Sequence, residues 1–161
     1  MSKTATYSLI ESQTLGSAQA SVIFSSIPAT FTDLILITKT PTISSNYNLR
    51  FNGDTATNYS YTGLYGDGTS ASSGRSTNNT VIGLTYTSSG APMGRLQIQD
   101  YASTNVYKSV LLRQDDSSTA TMAIVGLWRS TAAINSITIV SGGTIPTGST
   151  FKLYGIQAGN A

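Results

Sequence analysis

The sequence predicts an all-β chain, an antiparallel β-sandwich of jelly-roll type with about eight to ten strands. Three observations carry that expectation. Apolar residues alternate with polar ones at period two through most of the chain, as half-buried strands require. Val, Ile, Leu, Phe, Tyr and Thr recur in short runs bounded by Gly, Asn, Asp and Ser. No segment keeps the helical period, so an apolar sheet face has only another sheet to cover it.

The elements follow in chain order. Residues 1–15 suit an N-terminal arm or edge strand. Ala20, Val22 and Phe24 share one face, with Ser21 and Ser25 opposite. Leu34–Ile37 is apolar on both faces, as are Val110–Leu112 and Met122–Trp128. Such strands lie inside a sandwich or under a neighbouring subunit. Leu49 and Phe51 alternate with Asn48, Arg50 and Asn52, and Asn52-Gly53 is a hairpin-type dipeptide. Residues 66–79 (GDGTSASSGRSTNN) carry almost no apolar side chain and are expected to form a surface loop. Ile82, Leu84 and Tyr86 alternate with Gly83, Thr85 and Thr87, and Leu96 and Ile98 with Arg95, Gln97 and Gln99. Asp115-Asp116-Ser117-Ser118 suits a short turn between two strands. Gly126 and the Thr-rich entry at 119–121 speak against a helix over Met122–Trp128. Ser141-Gly142-Gly143 and Pro146-Thr147-Gly148 bracket a further connection, after which Phe151 and Leu153 alternate with Lys152 and Tyr154. No linker or internal repeat divides residues 1–161, so one sandwich domain is expected, with a frayed tail at 157–161.

Composition narrows the chemistry. The chain has 161 residues, 24 of them Ser and 24 Thr, and only 10% are charged, against a usual share of about 25%. The nine basic residues are dispersed with no adjacent pair, which gives no nucleic-acid track. No apolar stretch reaches the roughly 18 residues that span a bilayer, and the N-terminus has no signal-peptide pattern. Neither a nucleic acid nor a membrane is therefore an expected partner. Cys and His are both absent, which removes the thiol nucleophile, the thiolate metal site and the commonest general base. The carboxylates Asp54, Asp67, Asp115 and Asp116 stand in turn chemistry beside Gly or Ser. An Asp54/Asp100 acid pair has no local support. Ser–Lys dyads would need a desolvated lysine, whereas Lys39, Lys108 and Lys152 occupy positions read as outward-facing. Gly66-Asp67-Gly68-Thr69 lacks both the P-loop Lys and the spaced acids of a calcium loop. The expectation is a chain with no catalytic residues, no cofactor and no metal, and hence not an enzyme.

Aromatic residues carry the binding hypotheses. Of the nine tyrosines, Tyr47, Tyr59, Tyr61 and Tyr65 cluster with Tyr86 near Asn-rich segments. They are the candidate partner- or glycan-contacting residues, with the sandwich core and its rims as the competing location. Trp128, in a run apolar on both faces, reads as core.

Three stretches together resemble a known family. Ile27-Pro28-Ala29-Thr30-Phe31-Thr32-Asp33-Leu34 leads into a strand. Leu49-Arg50-Phe51-Asn52-Gly53-Asp54 is followed by Asn58-Tyr59-Ser60, and Phe151-Lys152-Leu153-Tyr154-Gly155-Ile156 closes the chain. With the opening Tyr7–Leu15, this order resembles small β-sandwich virion proteins of tailed phages and cyanophages. The resemblance implies a virion component, a homotrimer that binds the major capsid protein lattice as a cement or decoration protein. A tail-fibre or tail-tip module that grips glycans is the alternative. Its implied place is the capsid surface, or else the tail, after synthesis in the host cytoplasm. It supplies no catalytic residues.

Overall fold

The computed structural model describes residues 6–41, 45–84, 93–116 and 120–157, with the side chains of 115 and 116 excepted. Among these the alternating segments form twelve strands and no helix. They are β1 (Tyr7–Thr14), β2 (Gln19–Phe24), β3 (Asp33–Lys39), β4 (Tyr47–Phe51), β5 (Tyr59–Gly66), β6 (Ala71–Asn79), β7 (Ile82–Gly83), β8 (Met93–Ile98), β9 (Lys108–Asp116), β10 (Ala120–Trp128), β11 (Ile137–Ile145) and β12 (Thr150–Ile156). An eight-stranded sheet runs β1-β12-β3-β8-β9-β10-β5-β6, and a four-stranded sheet runs β2-β11-β4-β7. Every neighbouring pair is antiparallel.

The strand order is that of a jelly roll with additions. Taken alone, β1-β12-β3-β8 and β2-β11-β4-β7 are the two four-stranded sheets of that topology, with first and last strands adjacent. Two hairpins account for the rest. β5–β6, inserted between β4 and β7, and β9–β10, inserted between β8 and β11, extend the large sheet beyond β8. They raise the strand count above the eight to ten that the sequence suggests.

The core lies between the sheets. Val22, Phe24, Leu49, Phe51, Ile137 and Ile139 from the small sheet meet Leu34, Leu36, Leu96, Ile98, Val110, Leu112, Phe151 and Leu153 from the large one. The extension shares this core through Met122, Ile124, Trp128 and Tyr59. Gly126 on β10 marks a close approach, because a Cβ there would stand 2.7 Å from the Ile82 side chain of β7. Trp128 is buried, as expected, with its ring stacked on Tyr59 at 6.2 Å.

Four local expectations need correction. Residues 66–79 are not a loop, since Asp67–Ser70 form a tight turn and Ala71–Asn79 pairs along β5. The Asp67 carboxylate takes the Thr69 and Ser70 amides at 2.9 and 2.6 Å, and Gly68 has φ +84°. Strand β6 is a polar edge with no face to bury, so it leaves no hydrophobic period to read. Ser141-Gly142-Gly143 lies within β11 rather than between strands, at an irregularity in its pairing with β2. Asn52-Gly53 does make a turn with φ +51° and +66°, closed by the Asp54 amide on the Phe51 carbonyl. It carries the chain from the small sheet into the large one, however, instead of closing a hairpin. The β9–β10 hairpin forms, but Asp115 and Asp116, expected in its turn, are the last paired residues of β9, and 117–119 lie outside the described residues.

Candidate functional site: the outer face of the large sheet

Period-two geometry makes the outer side of the large sheet calculable from its register. One cross-strand row reads Leu9, Tyr154, Ile35, Gln97, Leu111, Val125, Thr62, Arg75. The next reads Lys152, Ile37, Arg95, Arg113, Ala123, Leu64, Ser73. Apolar side chains on this face stand largely in the open, with Leu64 60% and Val125 56% exposed, and Leu9, Met93, Tyr7 and Leu111 also exposed. These are the second faces of the doubly apolar runs seen in the sequence. β9 and β10 bury one side against the small sheet and leave Leu111 and Val125 exposed on the other, whereas on β3 Ile35 is buried on this side too and Ile37 is half-buried.

The face is not flat. A depression of about 780 Å³ crosses β3, β8, β9, β10 and β5, lined by residues including Ile37, Leu64, Met93, Arg95, Arg113 and Met122. A smaller one of about 250 Å³ adjoins it through Ile37 and Arg95 and is walled by Tyr7, Ile35 and Tyr154. Five of the nine basic residues, Lys39, Arg75, Arg95, Arg113 and Lys152, fall on this side of the sheet. Dispersed in the sequence, they are gathered by strand pairing.

The four tyrosines singled out from the sequence are elsewhere. Tyr47 and Tyr59 are core residues, which corrects their reading as surface contacts. The Tyr59 hydroxyl donates to the carbonyls of Phe51 and Asp54, each at 3.3 Å, and accepts the Phe51 amide at 3.1 Å. Burial pushes its phenol up to about 12. Tyr61 and Tyr65 are half-buried and pack on the core, and Tyr65 folds back over Gly63. The residues that do form the face gave only one signal in sequence, the apolar second sides of β3, β9 and β10.

Charged groups inside the sandwich are structural. Asp54 accepts the Trp128 indole N–H at 2.7 Å, the Asn58 amide at 2.9 Å and the Ala56 backbone N–H at 2.8 Å. Burial opposes its charge, yet these bonds and the nearby Arg50 outweigh burial and lower its pKa. Lys108 contradicts its outward reading, because it is fully buried on the inner face. Its ammonium donates to the carbonyls of Val106 at 2.7 Å and Thr131 at 3.2 Å. Burial lowers its pKa, against a raising influence from Asp100. Among the described residues, no group of three His, Cys, Asp or Glu is placed to hold a metal.

No family model matches the chain, and no curated protein does. Eleven chains of solved structures match it. One is an exo-inulinase from Aspergillus awamori, at 13% identity and a TM-score of 0.41, covering 94% of this chain. The present chain spans only 29% of that enzyme's length. Another is the mutant alginate lyase Aly36B in complex with alginate tetrasaccharide, at 10% identity and a TM-score of 0.33, covering 82% of this chain and 71% of the lyase. The expectation that the chain is not an enzyme is corrected here, since both of these matches are to enzymes and the exclusion does not stand beside them. The likeness is one of fold and brings no activity or site residues with it.

Proposed function

We propose that the chain is a structural component of a tailed-phage particle, a capsid cement or decoration protein. In this reading homotrimers sit on the shell and the outer face of the large sheet contacts the major capsid protein. The observation that carries it is the exposed set Leu9, Leu64, Met93, Leu111 and Val125, an apolar band spread over five strands that the chain leaves uncovered. Bands of this kind mark protein contacts rather than free surface. The tail-tip alternative drew on Tyr59, Tyr61 and Tyr65, which lie in or against the core.

The test is particle stability. Heads assembled without this chain are expected to form normally and to release DNA at a lower temperature than complete heads. Adding back purified protein is expected to restore the midpoint. Equal heat tolerance of the two preparations would remove the proposal, as would a copy number that tracks the tail rather than the shell.

A further inference from the structure

The centre of the outer face holds a charge conflict that the described side chains do not resolve. Arg95 on β8 and Arg113 on β9 are direct cross-strand partners, so their side chains rise from one face about 5 Å apart at the base. Lys152 follows beyond Ile37 in the same row, and Lys39 opposes Met93 in the row beside it. Like charges placed directly opposite each other destabilise a sheet. Four of the described carboxylates are engaged elsewhere. Asp33 holds Gln97 and the Asp100 amide, Asp54 holds Trp128, Asp67 closes its own turn, and Glu11 takes Gln13. Arg95 reaches the Tyr7 hydroxyl at 3.1 Å, while its Nε is buried with no hydrogen-bond partner. A buried donor left in this way calls for an acceptor that arrives from outside.

We infer that the Arg95–Arg113 pair, at the floor of the large depression, is the docking point for a carboxylate-bearing, apolar segment of a protein partner. The inference rests on the reading of this face as a contact surface and specifies what the contact carries. Charge complementarity selects an anion, and the planar guanidinium fork suits a carboxylate held by two parallel bonds. The walls select a polypeptide among anions. Ile37, Leu64, Met93 and Met122 are aliphatic or thioether groups, the kind that receive protein side chains. Sugars and nucleobases call for flat aromatic platforms. The one ring in this depression, Tyr65, is folded over Gly63.

Isotope-labelled full-length protein titrated with three probes tests this by amide NMR. The probes are a peptide alternating Asp and Leu, an oligogalacturonate of matched charge, and an oligothymidylate. The expected result is saturable shifts at Ile37, Leu64, Arg95 and Arg113 with the peptide, which binds about tenfold tighter than either other probe. Affinity should fall with salt, and an R95Q/R113Q variant should lose about tenfold while R50Q on the small sheet loses nothing. The double variant removes the like-charge contact, so a thermal midpoint equal to or above the parent's shows that its lost binding is not lost folding. Tighter binding of the galacturonate or the oligothymidylate overturns the inference, as does peptide affinity that is unchanged in R95Q/R113Q. These measurements need no particle. Their failure, with heads still dependent on the chain for heat tolerance, removes the acidic partner alone. Their success, with heat tolerance unaffected by the chain, removes the capsid role alone.

Discussion

The two sheets obey the same alternation on their inner sides and part company on their outer ones. On the small sheet Ser21, Ile23, Thr138, Val140, Asn48 and Arg50 face outward, a mostly polar set in which Ile23 is the exposed large apolar side chain. On the large sheet the outward set includes Tyr154, Ile35, Ile37, Leu111, Val125 and Leu64. A sheet with one solvated face needs no apolar residues there, so the large sheet's outer side calls for a reason that the small sheet's does not, and the proposed contact surface supplies one. The large face also spans the seam between the jelly roll and its added hairpins, with Arg95 on one side and Arg113 on the other. Both hairpins are thereby part of the surface and not ornaments on a finished sandwich.

Four changes test this contrast, from the largest expected effect to the smallest. Trp128→Ala removes an inner-face ring packed on Phe51 and Tyr59, and it should lower unfolding free energy by about 3–5 kcal/mol in urea titrations. A loss below 1 kcal/mol would mean that the inner face is not what holds the extension. Leu111→Asp with Val125→Lys, an opposite-charge pair across β9 and β10, should cut association with particles about a hundredfold, or about 2.7 kcal/mol, in co-sedimentation. The isolated chain should unfold within about 0.5 kcal/mol of the parent. Ile23→Asp on the small sheet is the matched control, and equal losses from both faces would erase the distinction between them.

Alkaline titration probes the buried groups. Unfolded, Tyr59 ionises near 10, while in the fold burial holds its proton until about 12. Its contribution is complete below pH 10 and is lost as pH rises to about 12, an effect of about 2–3 kcal/mol. Lys108 works in the opposite sense, since its lowered pKa means that stability rises as pH climbs toward 10.5. A Tyr59→Phe variant followed by circular dichroism should therefore resist alkaline unfolding relative to its own neutral-pH stability; a curve parallel to the parent's would place the loss elsewhere. Last, Arg113→Thr should stabilise the fold by about 0.2–1 kcal/mol, seen as a slightly higher thermal midpoint, by ending the opposition to Arg95. A lower midpoint would show that the pair is already neutralised within the chain.

Legibility in the sequence depended on what each strand had to bury. β2, β4, β8 and β12 carry an apolar side against a polar one, and both their existence and their inward residues could be read directly. β6 has nothing to bury, being exposed along nearly its whole length, so Ser, Thr, Asn and Gly masked it as a loop. Two glycines hid the continuation of β11. Lys108 shows two signals in conflict, for its parity with Val110 and Leu112 points inward while its charge argues outward. Parity wins because the Val106 and Thr131 carbonyls meet the ammonium. The tyrosine cluster misled because chemistry favouring contact with a ligand also favours a core residue with a hydrogen-bonded hydroxyl, as Tyr59 demonstrates. Arg95 and Arg113 could not be paired without the register, since they stand on separate strands joined by a long connection.

Strand β12 lies between β1 and β3, and β11 between β2 and β4. Neither sheet can therefore be completed until β11 and β12 have followed the strands they join. During synthesis β1 has no neighbour to hold it, because the seat beside it belongs to residues 150–156, which emerge after all eleven other strands. The nascent protein is expected to stay open on the ribosome and to close in one late step. Removing the final strand would then abolish the native sheet, not trim its border.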